Sequence, residues 1–167
     1  MTREQWAEAR RAIAVNAQFA AWQHAQGSSS VVVGDSYAQS LDLSTGGYCA
    51  RFVRQVVETS LGLIPMTWQY RRANARLMER ALRAAKLYVG KTLECAEPGD
   101  IVGINLPASV EVGHIGIYVG LVHGVPTIAE NTSVASRGNP RRKGTKLTPW
   151  ASVEKRVTGL YRLGKNA

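Results

Sequence analysis

Tyr48-Cys49-Ala50-Arg51-Phe52-Val53-Arg54-Gln55-Val56-Val57-Glu58-Thr59-Ser60-Leu61 sets Phe52, Val53, Val56, Val57 and Leu61 three and four residues apart. That is the spacing of a helix with one buried stripe, and it puts Cys49 on the first turn. Upstream, Gly34, Asp35, Ser40, Asp42, Ser44, Thr45, Gly46 and Gly47 make an irregular polar loop that ends at the cysteine. Further back, residues 3–26 read as a helix with Trp6, Ile13, Phe19 and Trp22 as its larger apolar groups. It stops at Gly27 before three serines, and Val31 to Val33 suit an edge strand. Downstream, Leu77, Met78, Ala81, Leu82, Ala85 and Tyr88 predict a third helix over 71–89, closed by Gly90. After Pro98-Gly99-Asp100 the period changes to that of strands, at 101–105, 114–119, 125–131 and near 157–163, with a loop over 131–150. Helices first and strands afterwards argue an α+β domain with an antiparallel sheet packed on the helices.

The chain has 167 residues and a hydrophobic share of 45%, which suits a single domain over 1–167 with one core. It divides into an N-terminal helix (1–27), a loop (28–47) and a core (48–167). A net charge of +9 favours an acidic partner: nucleic acid, anionic cell wall or membrane surface. Two cysteines are too few for a disulfide scaffold, and no paired spacing such as Cys-x-x-Cys suggests zinc, so no metal or cofactor is expected. No run of about 18 apolar residues exists to span a bilayer. The first 27 residues mix charges among their apolar groups and lack a signal peptide's apolar centre. The expectation is synthesis in the cytoplasm, export only by another system, and a monomer.

A thiol becomes a useful nucleophile where the thiolate is favoured, and the unpaired N–H groups of a helix's first turn favour it. Cys49 has that placement, its own N–H could hold a developing oxyanion, and Gly46-Gly47 would let a substrate approach. A small buried cysteine in a helix is the commoner role, but the glycine-rich loop before it argues for function. Cys95, between Glu94 and Glu97, reads as structural. Of the three histidines, His24 ends the first helix and His123 sits in a hairpin turn, whereas His114 opens an apolar strand that would hold it at a rim. It is the expected base. The next strand offers Glu130 and Asn131 to orient it. If Ile128 shares a face with Ile115 and Ile117, alternation puts Asn131 on the histidine's side. One β-bulge would reverse the parity and give the place to Glu130.

These stretches resemble the NlpC-type and CHAP group of papain-like cell-wall hydrolases. The likeness is carried by Gly47-Tyr48-Cys49-Ala50-Arg51-Phe52-Val53, by Pro98-Gly99-Asp100-Ile101-Val102, and by Gly113-His114-Ile115-Gly116-Ile117-Tyr118-Val119-Gly120, with Glu130-Asn131 following in order. The resemblance implies a papain-like half-barrel sheet packed on the cysteine helix, no metal, and hydrolysis of peptidoglycan amides. It makes Cys49 the nucleophile, His114 the base and Asn131 or Glu130 the orienting residue, and it gives Tyr37 a part in the oxyanion site. It departs from the group in lacking Trp-Gly-Gly after Tyr37 and in reading Tyr48-Cys49-Ala50-Arg51 where Asp-Cys-Ser-Gly is usual. The expected setting is a phage lysis enzyme or an injected effector, acting on the cell wall after release or injection. The rival expectation is a non-catalytic basic module that grips anionic cell-wall polymer or nucleic acid through Arg137, Arg141, Arg142 and Lys143. A lipid-directed acyltransferase ranks last, because histidine precedes cysteine in that group.

Overall fold

The computed structural model describes residues 1–25, 30–33, 39–42, 49–106, 112–132 and 144–167, with 30–33 and 39–42 described as backbone only. The first helix, α1 (Arg3–Ala25), buries Ala9, Ile13, Ala14, Ala17, Ala20 and Ala21. An alanine face lets its backbone come close to its neighbours. The large apolar groups behave differently: Phe19 and Trp22 are exposed and stack on each other with ring centroids 6.0 Å apart. The second helix, α2 (Cys49–Ser60), buries Phe52, Val53, Val56 and Val57, the stripe that its spacing predicts. Between them, β1 (Ser30–Val33) and β2 (Gln39–Asp42) pair antiparallel; the second lies in a stretch expected to be loop.

The third helix, α3 (Ala75–Ala84), is shorter at both ends than the expected 71–89. It starts where Asn74 accepts a hydrogen bond from the Leu77 N–H at 2.9 Å, which satisfies one of the first turn's free donors. It ends before Lys86, which takes a left-handed φ of 59°. Tyr88, placed on the helical stripe by its spacing, begins a short strand, β3 (Tyr88–Gly90).

The remaining strands are β4 (Ile101–Ile104), β5 (His114–Val122), β6 (Val125–Thr132), β7 (Gly144–Pro149) and β8 (Val157–Tyr161). With β3 they form an antiparallel sheet in the order β3-β8-β4-β5-β6-β7, open at its two edges. The fold is therefore α+β, with three helices and a six-stranded antiparallel sheet among the described residues. Strand β7 lies within the span expected as loop, and it adds the edge beside β6. Ile101, Ile115, Ile117 and Ala129 join Ile13, Val53 and Val56 in the main core, which fixes the helices on the sheet. Val102, Tyr118, Ile128, Leu160 and Trp150 make a second cluster.

The Pro98-Gly99-Asp100 entry to β4 is a joint. Gly99 has φ +92°, and a Cβ there would run into the Arg10 carbonyl of α1. Asp100 is fully buried and accepts from Arg162 Nε at 3.0 Å and Nη2 at 2.9 Å, which ties the end of β8 to this turn. Burial pushes the Asp100 carboxyl above its ordinary value, against the lowering effect of Arg162. None of the described helices is long and apolar enough to cross a membrane.

Candidate active site

Cys49 is the first residue of α2 and is 7% exposed, inside the core cluster. His114 is the first residue of β5, directly after Gly113, whose left-handed φ of 66° turns the chain into the strand. These two ends, 65 positions apart in sequence, come together: the Cys49 side chain lies close enough to the His114 ring to act on its protonation. Its Nε2 lies 2.8 Å from Glu130 Oε2, which leaves Nδ1 for the sulfur. Glu130 Oε1 in turn accepts from Thr148 Oγ1 at 2.9 Å and lies 3.5 Å from Lys146 Nζ.

Burial alone would push the imidazole below the usual histidine value. The influence of the neighbouring Cys49 side chain, with the hydrogen bond and charge of Glu130, carries it up to about 9. Burial would likewise raise Glu130, but the hydrogen bond and charge of His114, the charge of Lys146 and the Thr148 hydroxyl hold it below the ordinary carboxylate value. Both neighbours therefore favour the charged form of the ring, which holds its proton more tightly than a free imidazole.

The choice between Glu130 and Asn131 is made by the register of β5 on β6. From the hairpin, Val122 pairs with Val125, Leu121 with Pro126 and Gly120 with Thr127. A regular ladder would next pair Val119 with Ile128 and bring Asn131 opposite Gly116, as the alternation argument requires. Instead a bulge between Tyr118 and Gly120 inserts one residue, Tyr118 pairs with Ile128, and Glu130 comes opposite Gly116. Gly116 shares a face with His114, so Glu130 is its diagonal neighbour. The expectation that favoured Asn131 fails at this bulge. Asn131 is fully buried and donates to Thr145 Oγ1 at 3.1 Å. Gly116 is itself a condition of the contact: a Cβ there would lie 2.8 Å from the Ala129 oxygen and 3.4 Å from the Glu130 Cβ.

A cleft of about 750 Å³ opens on Cys49. Arg51 and Arg54 of α2 line it, with Arg71 and Arg72 from the segment before α3 and with Met66 and Val112, both exposed apolar residues. Behind the lining stands Glu58, a fully buried carboxylate on α2. It accepts from the N–H groups of Met66 at 3.1 Å and Trp68 at 3.0 Å and pairs with Arg54 at 2.6 Å. That contact holds Met66 in a left-handed conformation, φ 70°.

Sequence reasoning brings Cys49, His114 and Glu130 into view but misses Thr148, Lys146, Glu58 and the cleft arginines. The alternation Thr145-Lys146-Leu147-Thr148 is the signal that would have found the first two. His123 sits exposed in the hairpin turn with φ 49°, and Cys95 ends a short 3-10 turn, its sulfur 3.7 Å from Thr92 Oγ1; neither lines the cleft. Tyr37, Gly46, Gly47, Arg137, Arg141, Arg142 and Lys143 lie outside the described residues. Comparisons with protein-family models, characterised proteins and solved structures return no match for this chain.

Proposed function

We propose that this chain is a cysteine hydrolase that cleaves amide bonds, with the peptide stems of peptidoglycan as its substrate, built on a papain-like arrangement of helix and sheet. The observation that carries the reading is one imidazole hydrogen-bonded to a buried carboxylate and brought beside a helix-start thiol, next to a cleft. The ordered likeness to NlpC-type and CHAP hydrolases supplies the substrate class. In the proposed reaction the Cys49 thiolate attacks the amide carbonyl, and the N–H of the helix's first residue helps to hold the oxyanion. As the C–N bond breaks, His114 gives the proton on Nδ1 to the departing amine. Neutral His114 then takes a proton from water, the hydroxide attacks the thioester, and the carboxylic acid leaves as the thiolate is restored. Glu130 stays ionised throughout; it orients the ring and stabilises its charged form. The proposed place of action is the cell wall, reached after release or injection.

Digestion of purified peptidoglycan by the wild type and by Cys49→Ala, with mass spectrometry of the released fragments, tests the reading. The expected result is new amino and carboxyl termini at one amide with the wild type and none with the variant. Fragments released equally by Cys49→Ala would remove Cys49 from the chemistry, and an inert wild type would remove peptidoglycan from the proposal.

A further inference from the structure

The cleft has a pronounced charge asymmetry. Among the described residues that line it, four are arginines and none is a carboxylate. Arg54 is already neutralised by Glu58 at 2.6 Å. Arg72 is anchored by Nη1, which donates to the Gln69 carbonyl at 3.0 Å and the Arg71 carbonyl at 2.7 Å. A guanidinium held in this way by backbone oxygens keeps the rest of its fork for another acceptor. Arg71 and Arg72 are both exposed, and among the described residues neither forms an ion pair. The carboxylates Glu58 and Glu79 that stand near this region are buried and bound elsewhere: Glu58 by backbone N–H groups and Arg54, Glu79 by Tyr161, Thr158 and Arg76.

We infer that the substrate carries a free carboxylate beside the scissile amide, held by Arg71 and Arg72 as the carbonyl meets Cys49. The inference rests on the hydrolase reading above and adds the charge of what the cleft accepts. Planar guanidinium forks match either a carboxylate or a phosphate. A cleft of about 750 Å³ with exposed Met66 and Val112 at its edge has the dimensions and apolar rim for a few residues of peptide. The group that a thiolate attacks is an acyl carbon. Together these favour a peptide carboxylate over a phosphate polymer.

The first test needs no substrate. Iodoacetate and iodoacetamide alkylate the same sulfur, but only the first is an anion. The ratio of their rates at Cys49, relative to the same ratio at Cys95, reads the charge of the cleft. We expect the Cys49 ratio to exceed that at Cys95 and to fall about fivefold at low salt in the double variant R71Q/R72Q, the scale of two solvent-exposed charges acting across one cleft. A ratio that does not move would overturn the inference. The second test compares stem peptides with a free or an amidated carboxylate next to the cleaved bond. Amidation should raise KM about tenfold with kcat largely kept in the wild type, and should have little effect in R71Q/R72Q. Equal KM for the two peptides in the wild type would count against the inference, as would stronger inhibition by inorganic polyphosphate than by an acidic peptide. A Cys49 that reacts with neither reagent would sink the hydrolase reading; a reactive Cys49 with an unmoved ratio would sink the carboxylate alone.

Discussion

Replacing Glu130 by Gln removes one negative charge while keeping an oxygen able to accept from His114. In the wild type the surroundings push the ring up to about 9 from an ordinary histidine value of 6.5, a difference equivalent to about 3 kcal/mol in favour of the imidazolium. A charge-assisted hydrogen bond at 2.8 Å contributes roughly 1.5–3 kcal/mol of such an effect. Loss of the charge should therefore lower the midpoint by about one to two pH units, to roughly 7–8. A raised histidine value stabilises the folded state fully below 6.5, and that stability is lost as pH rises through about 9. The same pair seen from Glu130, whose value is lowered, is present above the carboxylate's ordinary 4.5 and is lost as pH falls through the folded value. These are two views of one interaction and are not summed. The pair should thus stabilise the fold across neutral pH and fade at both extremes. Titration of the His114 ring nitrogens by NMR, in wild type and Glu130→Gln, reads the midpoint directly. Denaturant unfolding at pH 6 and pH 10 reads the stability, which should fall with rising pH in the wild type by more than in the variant. A His114 midpoint that stays near 9 in Glu130→Gln would refute the claim that this carboxylate sets the ring's charge.

Three further outcomes follow from the packing around the site. Gly116→Ala puts a Cβ 2.8 Å from the Ala129 oxygen; unfolding should show a loss of about 1–3 kcal/mol, and turnover should fall further because Glu130 is pushed from His114. Glu58→Ala leaves Arg54 and two N–H groups without their carboxylate; the cost should be about 3–5 kcal/mol by denaturant titration. Thr148→Val keeps the shape but removes the donor to Glu130 Oε1; it should cost about 1 kcal/mol and shift the acid limb of the activity profile upward, as a carboxylate with one donor fewer protonates more readily.

The α2 stripe was legible because Phe52, Val53, Val56 and Val57 all face one core, so helical period and burial coincide. The strands after Asp100 were legible for the same reason. Tyr88 was not: its spacing from Leu82 and Ala85 suits a helix, and only pairing with Tyr161 on a distant strand makes it extended. Strand β7 was hidden because Gly144–Pro149 is mostly polar and gains its order from β6. At the site, Cys49 and His114 could be read from their positions at element ends, whereas the third residue could not be fixed by counting. Gly120, with φ +92° beside the bulge, was the available clue, since a glycine inside a strand often marks the residue at which alternation resets. Glu58 interrupts no hydrophobic pattern, and its role depends on backbone groups eight and ten residues ahead.

The most direct measurement is the rate at which neutral iodoacetamide labels Cys49 and Cys95 in the native wild-type protein at pH 7, followed by peptide mass spectrometry. Burial alone ranks Cys95 first, because it is half-buried whereas Cys49 is buried. An imidazolium-paired sulfur at a cleft ranks Cys49 first, by at least about tenfold, with the advantage lost in His114→Ala. Faster labelling at Cys95, or a Cys49 rate indifferent to His114, would contradict the account.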